Sequence, residues 1–138
     1  MFATMGDFEL NGEPPDLSGK ICQGLYREEY WFEGDLIEPA TILYLKFDGQ
    51  WHRLYFDFGI IFWRLEDELP ESFDVPEEGW SFKMIDVNRT IPVVGRCLEQ
   101  YYMQAGPYGP RVVFEFEGDL VFAVENINDV THFSAAGL

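Results

Sequence analysis

The segment from Thr41 to Phe58 constrains the fold of this chain more than any other part of its sequence. Two runs of alternating residues meet at Asp48-Gly49, a dipeptide typical of a two-residue type I′ turn. Because side chains alternate between the two faces of a strand, pairing across this turn puts Leu43 opposite Leu54 on an apolar face. The sequence therefore predicts an antiparallel hairpin with a defined register.

The opposite face of this hairpin carries aromatic and cationic side chains, namely Tyr44, Trp51, Arg53 and Tyr55. These residue types are enriched at interface hot spots, so we predict an aromatic binding face here. The register also sets Lys46 opposite Trp51 and Arg53 opposite Tyr44, which predicts cation–π contacts. The alternative is that a second sheet covers this face.

His52 falls on the apolar face of the hairpin, opposite Leu45 and on the same face as Leu43 and Leu54 in the predicted pairing. A histidine in that position is usually a neutral core residue, and we predict that it is largely buried. The alternative is a pocket around His52, in a small-molecule-binding β-barrel or an enzyme with an aromatic-lined cavity. An open cavity favours that alternative, whereas a filled core favours a binding protein.

A second hairpin is predicted from Arg111 to Glu125. A three-residue loop, Glu117 to Asp119, gathers the apolar side chains on one face by pairing Phe114 with Phe122. A two-residue turn would instead place Glu115 opposite Phe122. The register with the longer loop is therefore expected.

The pentapeptide from Phe32 to Leu36 recurs identically from Phe116 to Leu120. The flanking residues differ, and Glu-Gly-Asp is common turn chemistry, so coincidence is favoured over duplication. The first copy follows a strand predicted from Lys20 to Phe32. Both copies are expected to form turns.

The remaining sequence favours a mainly β fold. Hydrophobic residues make up 47% and aromatic residues 17% of the 138-residue chain, which suits half-buried pleated surfaces. Trp80 to Val87 alternates as a strand, whereas residues 91–104 fit either a strand or a short helix. We predict antiparallel sheets with hairpins, arranged as a sandwich or a partly open barrel, with at most one short helix.

Both ends of the chain differ from this pattern. Glycine and proline are dense in residues 1–19, which we predict to be an irregular arm or short edge strand outside the core. Residues 20–138 then form a single β-rich domain. The weak pattern from Asn126 to Leu138 predicts a loose tail.

A long acidic connection runs from Glu66 to Gly79. It contains Pro70 and Pro76 and is long for a connection in a compact domain, so we predict a loop. Its seven carboxylate residues are Glu66, Asp67, Glu68, Glu71, Asp74, Glu77 and Glu78. Long loops often carry function, and we predict that these carboxylates form a binding surface.

The charge balance narrows the choice of partner. The chain has 25 acidic and nine basic residues, for a formal net charge of −16. This negative potential disfavours nucleic acid and anionic membranes and favours a basic protein partner. The alternative is that the acidic residues only keep the protein soluble. The oligomeric state is left open.

Sequence motifs for catalysis, cofactors and metals are absent. The chain contains no GxGxxG, GxxxxGK[ST], HExxH or GxSxG, so no catalytic residue, cofactor or metal is predicted.

Cys22 and Cys97 lie outside any CxxC motif and are expected to be buried free thiols. His132 is expected at the surface. No secretory signal is evident, which predicts a cytoplasmic location.

These observations favour a small acidic cytoplasmic protein that binds or inhibits a basic protein partner, rather than an enzyme. Small size, acidity, β-rich patterning and missing catalytic motifs are shared by many toxin-neutralising immunity proteins. No motif in this chain is specific to them.

Overall fold

Residues 8–136, which the computed structural model describes, form two stacked β-sheets and a single turn of 3₁₀ helix from Val87 to Arg89. The strands are β1 (Glu9–Asn11), β2 (Cys22–Phe32), β3 (Asp35–Phe47), β4 (Gln50–Asp57), β5 (Ile60–Glu66), β6 (Phe73–Val75), β7 (Trp80–Asp86), β8 (Leu98–Ala105), β9 (Pro110–Phe116), β10 (Leu120–Ile127) and β11 (Val130–Ala136).

The larger sheet has the strand order β1-β5-β4-β3-β2-β7-β6, and the smaller sheet has the order β11-β10-β9-β8. Neighbouring strands are antiparallel except for β1, which runs parallel to β5. The predicted mainly β fold with antiparallel hairpins is confirmed. The sheets do not close into a barrel, so the arrangement is the sandwich.

Both predicted hairpin registers are confirmed. Leu43 pairs with Leu54, and Asp48 and Gly49 have the positive φ angles of 51° and 75° that a type I′ turn requires. Phe114 pairs with Phe122 across the three-residue loop.

The two copies of the repeated pentapeptide both form hairpin turns, one between β2 and β3 and the other between β9 and β10. Of the two interpretations of residues 91–104, the helix is wrong. Leu98–Ala105 is strand β8, which pairs with β9. The β pairing prevails because Leu98 and Met103 bury their side chains in the core between the sheets.

The expectation that the N-terminal arm lies outside the core is wrong for its described part. Leu17 is 1% exposed and Phe8 is also buried. The arm is fixed to the smaller sheet because the backbone N–H of Gly19 donates to the carbonyl oxygen of Leu98 at 2.7 Å. The Tyr101 hydroxyl also donates to the carbonyl oxygen of Pro15. Residues 1–7 of the predicted arm lie outside the described residues.

The C-terminal segment is a strand and not the predicted loose tail. Asn128 and Asp129 form a two-residue turn with φ angles of 51° and 65°, after which β11 pairs with β10. The Phe133 ring stacks on Phe122 at 5.4 Å, which ties β11 to the core. His132 is exposed, as predicted. Residues 137–138 of the predicted tail lie outside the described residues.

The acidic connection is not a continuous loop, because Phe73–Val75 adds strand β6 to the edge of the larger sheet. Prolines close to both sides of β6 keep it short and confined to the edge. The connection therefore carries the chain from the second strand of the sheet to its far edge.

The core lies between the sheets and contains side chains of both, including Leu25, Leu45, Phe114 and Phe122. Cys22 is buried with them as a free thiol, as predicted. Cys97 is also free but only half-buried, so the expectation that it is buried is wrong.

Replacing Phe114 by Ala should destabilise the protein by about 3–5 kcal/mol. Its ring is 0% exposed and stacks between Tyr101 and Phe122, so the substitution leaves a cavity in the core. Urea denaturation measures the change. Tyr102→Ala, on the exposed side of β8, is the matched control and should cost less than about 1 kcal/mol. Equal losses for the two variants would contradict the packing described.

Candidate functional site

The larger sheet has one face in the core and one face outside it. Leu43, Leu45 and Leu54 point into the core, whereas the core cluster of the described residues contains no side chain from the opposite face. The second sheet packs against the leucine face, so the alternative in which it covers the aromatic face is wrong. We call the opposite face the outer face.

Tyr44, at the centre of the predicted aromatic face, is buried. Only 2% of the residue is exposed, and burial raises the pKa of its hydroxyl to about 12. The charges of Glu28 and Glu66 raise this pKa further, while Arg53 lowers it. Tyr44 therefore supports its neighbours and offers little contact area to a partner.

Trp51 and Tyr55 are half-buried on the outer face, and cations lie over their rings. The Lys46 ammonium is 5.7 Å from the Trp51 ring centre, which confirms that predicted cation–π contact. The Arg53 guanidinium lies over Tyr55, at 5.4 Å, and not over Tyr44 as predicted. Tyr55 extends its side chain along the outer face, where it also stacks on Phe62 at 4.8 Å. Much of this aromatic face is thus used in contacts within the chain.

Arg53 also belongs to a polar cluster on the outer face. Its Nη1 atom is 4.0 Å from Glu66 Oε2, and its Nε atom is buried without a hydrogen-bond partner. Glu28 accepts a hydrogen bond from the Thr41 hydroxyl at 2.7 Å. Burial raises the pKa of Glu28, although that hydrogen bond and the Arg53 charge partly offset it. Glu66 is therefore part of an internal ion cluster.

The other six carboxylate residues of the acidic connection are exposed; they are Asp67, Glu68, Glu71, Asp74, Glu77 and Glu78. Glu78 accepts a hydrogen bond from the indole N–H of Trp80 at 3.0 Å. The structure thus brings the end of the connection beside an aromatic side chain. Glu66, which the sequence had grouped with these six residues, is instead half-buried beside Arg53.

Five aromatic residues form a patch where β2, β7 and β6 meet at the edge of the outer face. We call this set the edge patch, and it comprises Tyr30, Phe32, Phe73, Trp80 and Phe82. The Phe73 ring lies 5.3 Å from Phe82 and 5.8 Å from Trp80, and Phe82 lies 5.2 Å from Tyr30. Phe73 remains 52% exposed. The edge patch is therefore an aromatic surface set within the most acidic part of the chain.

Sequence reasoning missed the edge patch. The alternation from Trp80 to Val87 indicated a strand, but alternation alone does not show which face lies in the core. Phe73 was a single aromatic residue in a segment predicted to be a loop. A signal was available in the spacing of Trp80 and Phe82, which places two aromatic rings on the same face of one strand.

His52 is half-buried rather than largely buried, and it lines a cleft of about 390 Å³ between β4, β5 and the N-terminal arm. The other lining residues are Gly12, Glu13, Pro15, Trp63, Arg64 and Leu65. Burial and the charge of Lys20 lower the pKa of His52, which favours the neutral imidazole. Trp63 is the only one of these described lining residues with an indole or phenyl ring, so the aromatic part of the lining is a single side chain.

Within residues 8–136, no three His, Cys, Asp or Glu side chains lie close enough together to hold a metal ion. The described residues also include no helix that is long and apolar enough to cross a membrane. No protein-family model matches this chain, and no curated protein or solved structure is significantly similar to it. Its function must therefore be inferred from its own residues.

His52 should make the protein less stable as the pH falls. Its folded-state pKa lies below the ordinary value of 6.5, so the unfolded chain binds more protons between the two values. The stability contributed by neutral His52 is complete above pH 6.5 and is lost as the pH falls through the lower folded-state pKa. Urea unfolding between about pH 7.5 and pH 5 should show this loss in the wild type and a smaller loss in His52→Gln.

An NMR titration of the imidazole measures the same pKa directly. Lys20→Gln is the control, because removing that charge should move the pKa of His52 back towards its ordinary value. A His52 pKa at or above 6.5 in the wild type would contradict the burial described.

Proposed function

We propose that this chain is a small cytoplasmic binding or inhibitory protein that engages a basic protein partner. The edge patch supplies the apolar contact, and the exposed carboxylates of the acidic connection supply the charge. The observation that carries the proposal is the position of Phe73. It is a half-exposed ring stacked on Phe82, within the segment that holds six exposed carboxylates.

The aromatic rings suit the centre of a protein interface. Large aromatic side chains bury much area for little conformational entropy, and they dominate hot spots when water is excluded around them. Phe73 is already held against Trp80 and Phe82, so little side-chain freedom remains to be lost on binding. The edge patch is therefore a preorganised contact surface.

The carboxylates select the charge of the partner. The net charge of −16 repels acidic proteins, and Asp74, Glu77 and Glu78 place part of that charge on and after β6. Fields of this kind speed the encounter with a cationic protein and are screened beyond about 8 Å at physiological ionic strength. Lysine and arginine side chains of a partner can also lie over aromatic faces.

Neutralising Asp74, Glu77 and Glu78 together to Asn, Gln and Gln should slow association with the basic partner about 3- to 10-fold at low salt. Dissociation should change less, because these side chains are exposed and act mainly on the encounter. Phe73→Ser should instead speed dissociation about tenfold or more, since it removes apolar area that the partner covers in the complex. Surface plasmon resonance at low and high salt separates the two effects.

The binding partner for this experiment is a basic protein recovered from a lysate of the source cells, then identified and purified. The matched control neutralises three exposed acids of the smaller sheet and its turns, Glu99, Asp119 and Asp129. It removes the same charge but leaves the edge patch intact, so it should slow association less. Equal slowing by both triple variants, together with unchanged dissociation of Phe73→Ser, would refute the edge patch as the interface.

The cleft beside His52 supports a second candidate function, small-molecule binding or an enzyme activity. The favouring observation is that Glu13 lines the same cleft as His52, so a carboxylate and a neutral imidazole face one space. Trp63 lines it too, and its buried indole N–H has no hydrogen-bond partner. Because that N–H is buried and not open to the cleft, the lining suits a small, mainly apolar molecule.

Phenol is a suitable probe for this cleft. Titration into the wild type should shift the NMR signals of His52 to saturation, and Leu65→Trp should abolish the response by filling the cleft. Linear, unsaturated shifts in the wild type would count against a binding site there.

A further inference from the structure

Phe58 occupies the turn between β4 and β5 in a conformation that suits other residues better. Its φ angle is 49° and that of Gly59 is 76°, which places both in the left-handed region. A bulky side chain is rarely found there, because Cβ crowds the backbone. The ring gains little in return, since Phe58 is 83% exposed. Neither backbone preference nor burial accounts for phenylalanine at this position.

The neighbouring hairpin provides an internal comparison. Its turn has the same length and the same geometry, with φ angles of 51° at Asp48 and 75° at Gly49. The other described non-glycine residues with positive φ also have polar side chains, and they are Glu33, Asp119, Asn128 and Asp129. Aspartate and asparagine tolerate this conformation best. Four of the other five described positions therefore carry aspartate or asparagine, Glu33 is the exception, and Phe58 is the only apolar residue among them.

The surroundings of Phe58 are acidic. Asp57 and Glu9 are both exposed. Asp57 precedes Phe58 in the chain and pairs with Ile60, while Glu9 pairs with Ile60 from the other side. An exposed aromatic ring flanked by carboxylates complements an apolar pocket whose rim carries lysine or arginine.

The strand directions place this turn at the same end of the larger sheet as the turn that carries Glu77 and Glu78. The neighbours from β4 through β3, β2, β7 and β6 are all antiparallel, so the end of β4, the end of β2, the start of β7 and the end of β6 are at the same end of the sheet. A partner that covers the edge patch can therefore extend along the same end of the sheet to Phe58.

We propose that Phe58 is an anchor residue that inserts into an apolar pocket with a cationic rim on the basic protein partner. This inference rests on the proposed function, because it takes the partner to be the same basic protein. It adds a second contact point at the same end of the sheet as Glu77 and Glu78, several strands away from the edge patch. The unfavourable turn residue is retained because its ring is buried only in the complex.

Phe58→Asn tests the inference through stability and binding together. The melting temperature should rise by about 2–5 °C, because asparagine suits the left-handed turn. The converse variant, Asp48→Phe, should lower it. A lower melting temperature for Phe58→Asn would overturn the inference, since phenylalanine would then serve the fold.

Binding is measured by calorimetry with the basic protein that the wild type captures from a lysate of the source cells, once it is identified and purified. Phe58→Asn should weaken its affinity at least about tenfold. Tyr108→Asn removes another exposed ring, which lies in the β8–β9 loop, and should leave the affinity unchanged.

The outcomes separate this inference from the proposed function. Equal affinities of the wild type and Phe58→Asn for a basic partner would overturn the anchor while leaving the proposed function in place. An equal loss of affinity with Tyr108→Asn would also overturn the anchor. Recovery of no basic protein by the wild type would overturn both.

Discussion

One-sided burial of the larger sheet is the constraint on which the rest of this structure depends. The smaller sheet packs against one face through a layer of stacked rings that includes Phe114 and Phe122. Because side chains alternate along each strand, every strand of the larger sheet that buries one set of residues presents the other set outside the core. The aromatic rings of the outer face follow from this geometry and from the high aromatic content of the chain.

The outer face is not uniform. At its centre, Tyr44 is buried beneath an ion cluster, and Lys46 and Arg53 lie over neighbouring rings. Those contacts engage the rings and charges within the chain, although Arg53 Nε has no hydrogen-bond partner. At the edge, Phe73 stacks on its neighbours but remains half-exposed. The rings at the centre make their contacts within the chain, whereas those at the edge remain open, and this difference is the reason for proposing the edge patch as the interaction surface.

In strand β6, features that protect a sheet edge from aggregation coincide with the proposed binding surface. Exposed sheet edges invite pairing with other chains, and proteins limit this by keeping edge strands short and flanking them with proline and charge. Pro70, Pro76 and the surrounding carboxylates meet these requirements beside β6. The same carboxylates repel copies of this acidic chain and would attract a basic one, so protection of the edge and the proposed choice of partner have a common electrostatic origin.

The sequence by itself determined the mainly β fold, the type I′ turn at Asp48-Gly49 and the registers of two hairpins. These features depend on residues close together in the chain, where alternation and turn length leave one arrangement that gathers the apolar side chains. Tertiary structure alone decided that Leu17 is buried, that Tyr44 is covered and that Phe73 joins Phe82 at the sheet edge. Each of these depends on which strands become neighbours across long sequence separations, and alternation is the same whichever face of a strand the second sheet covers.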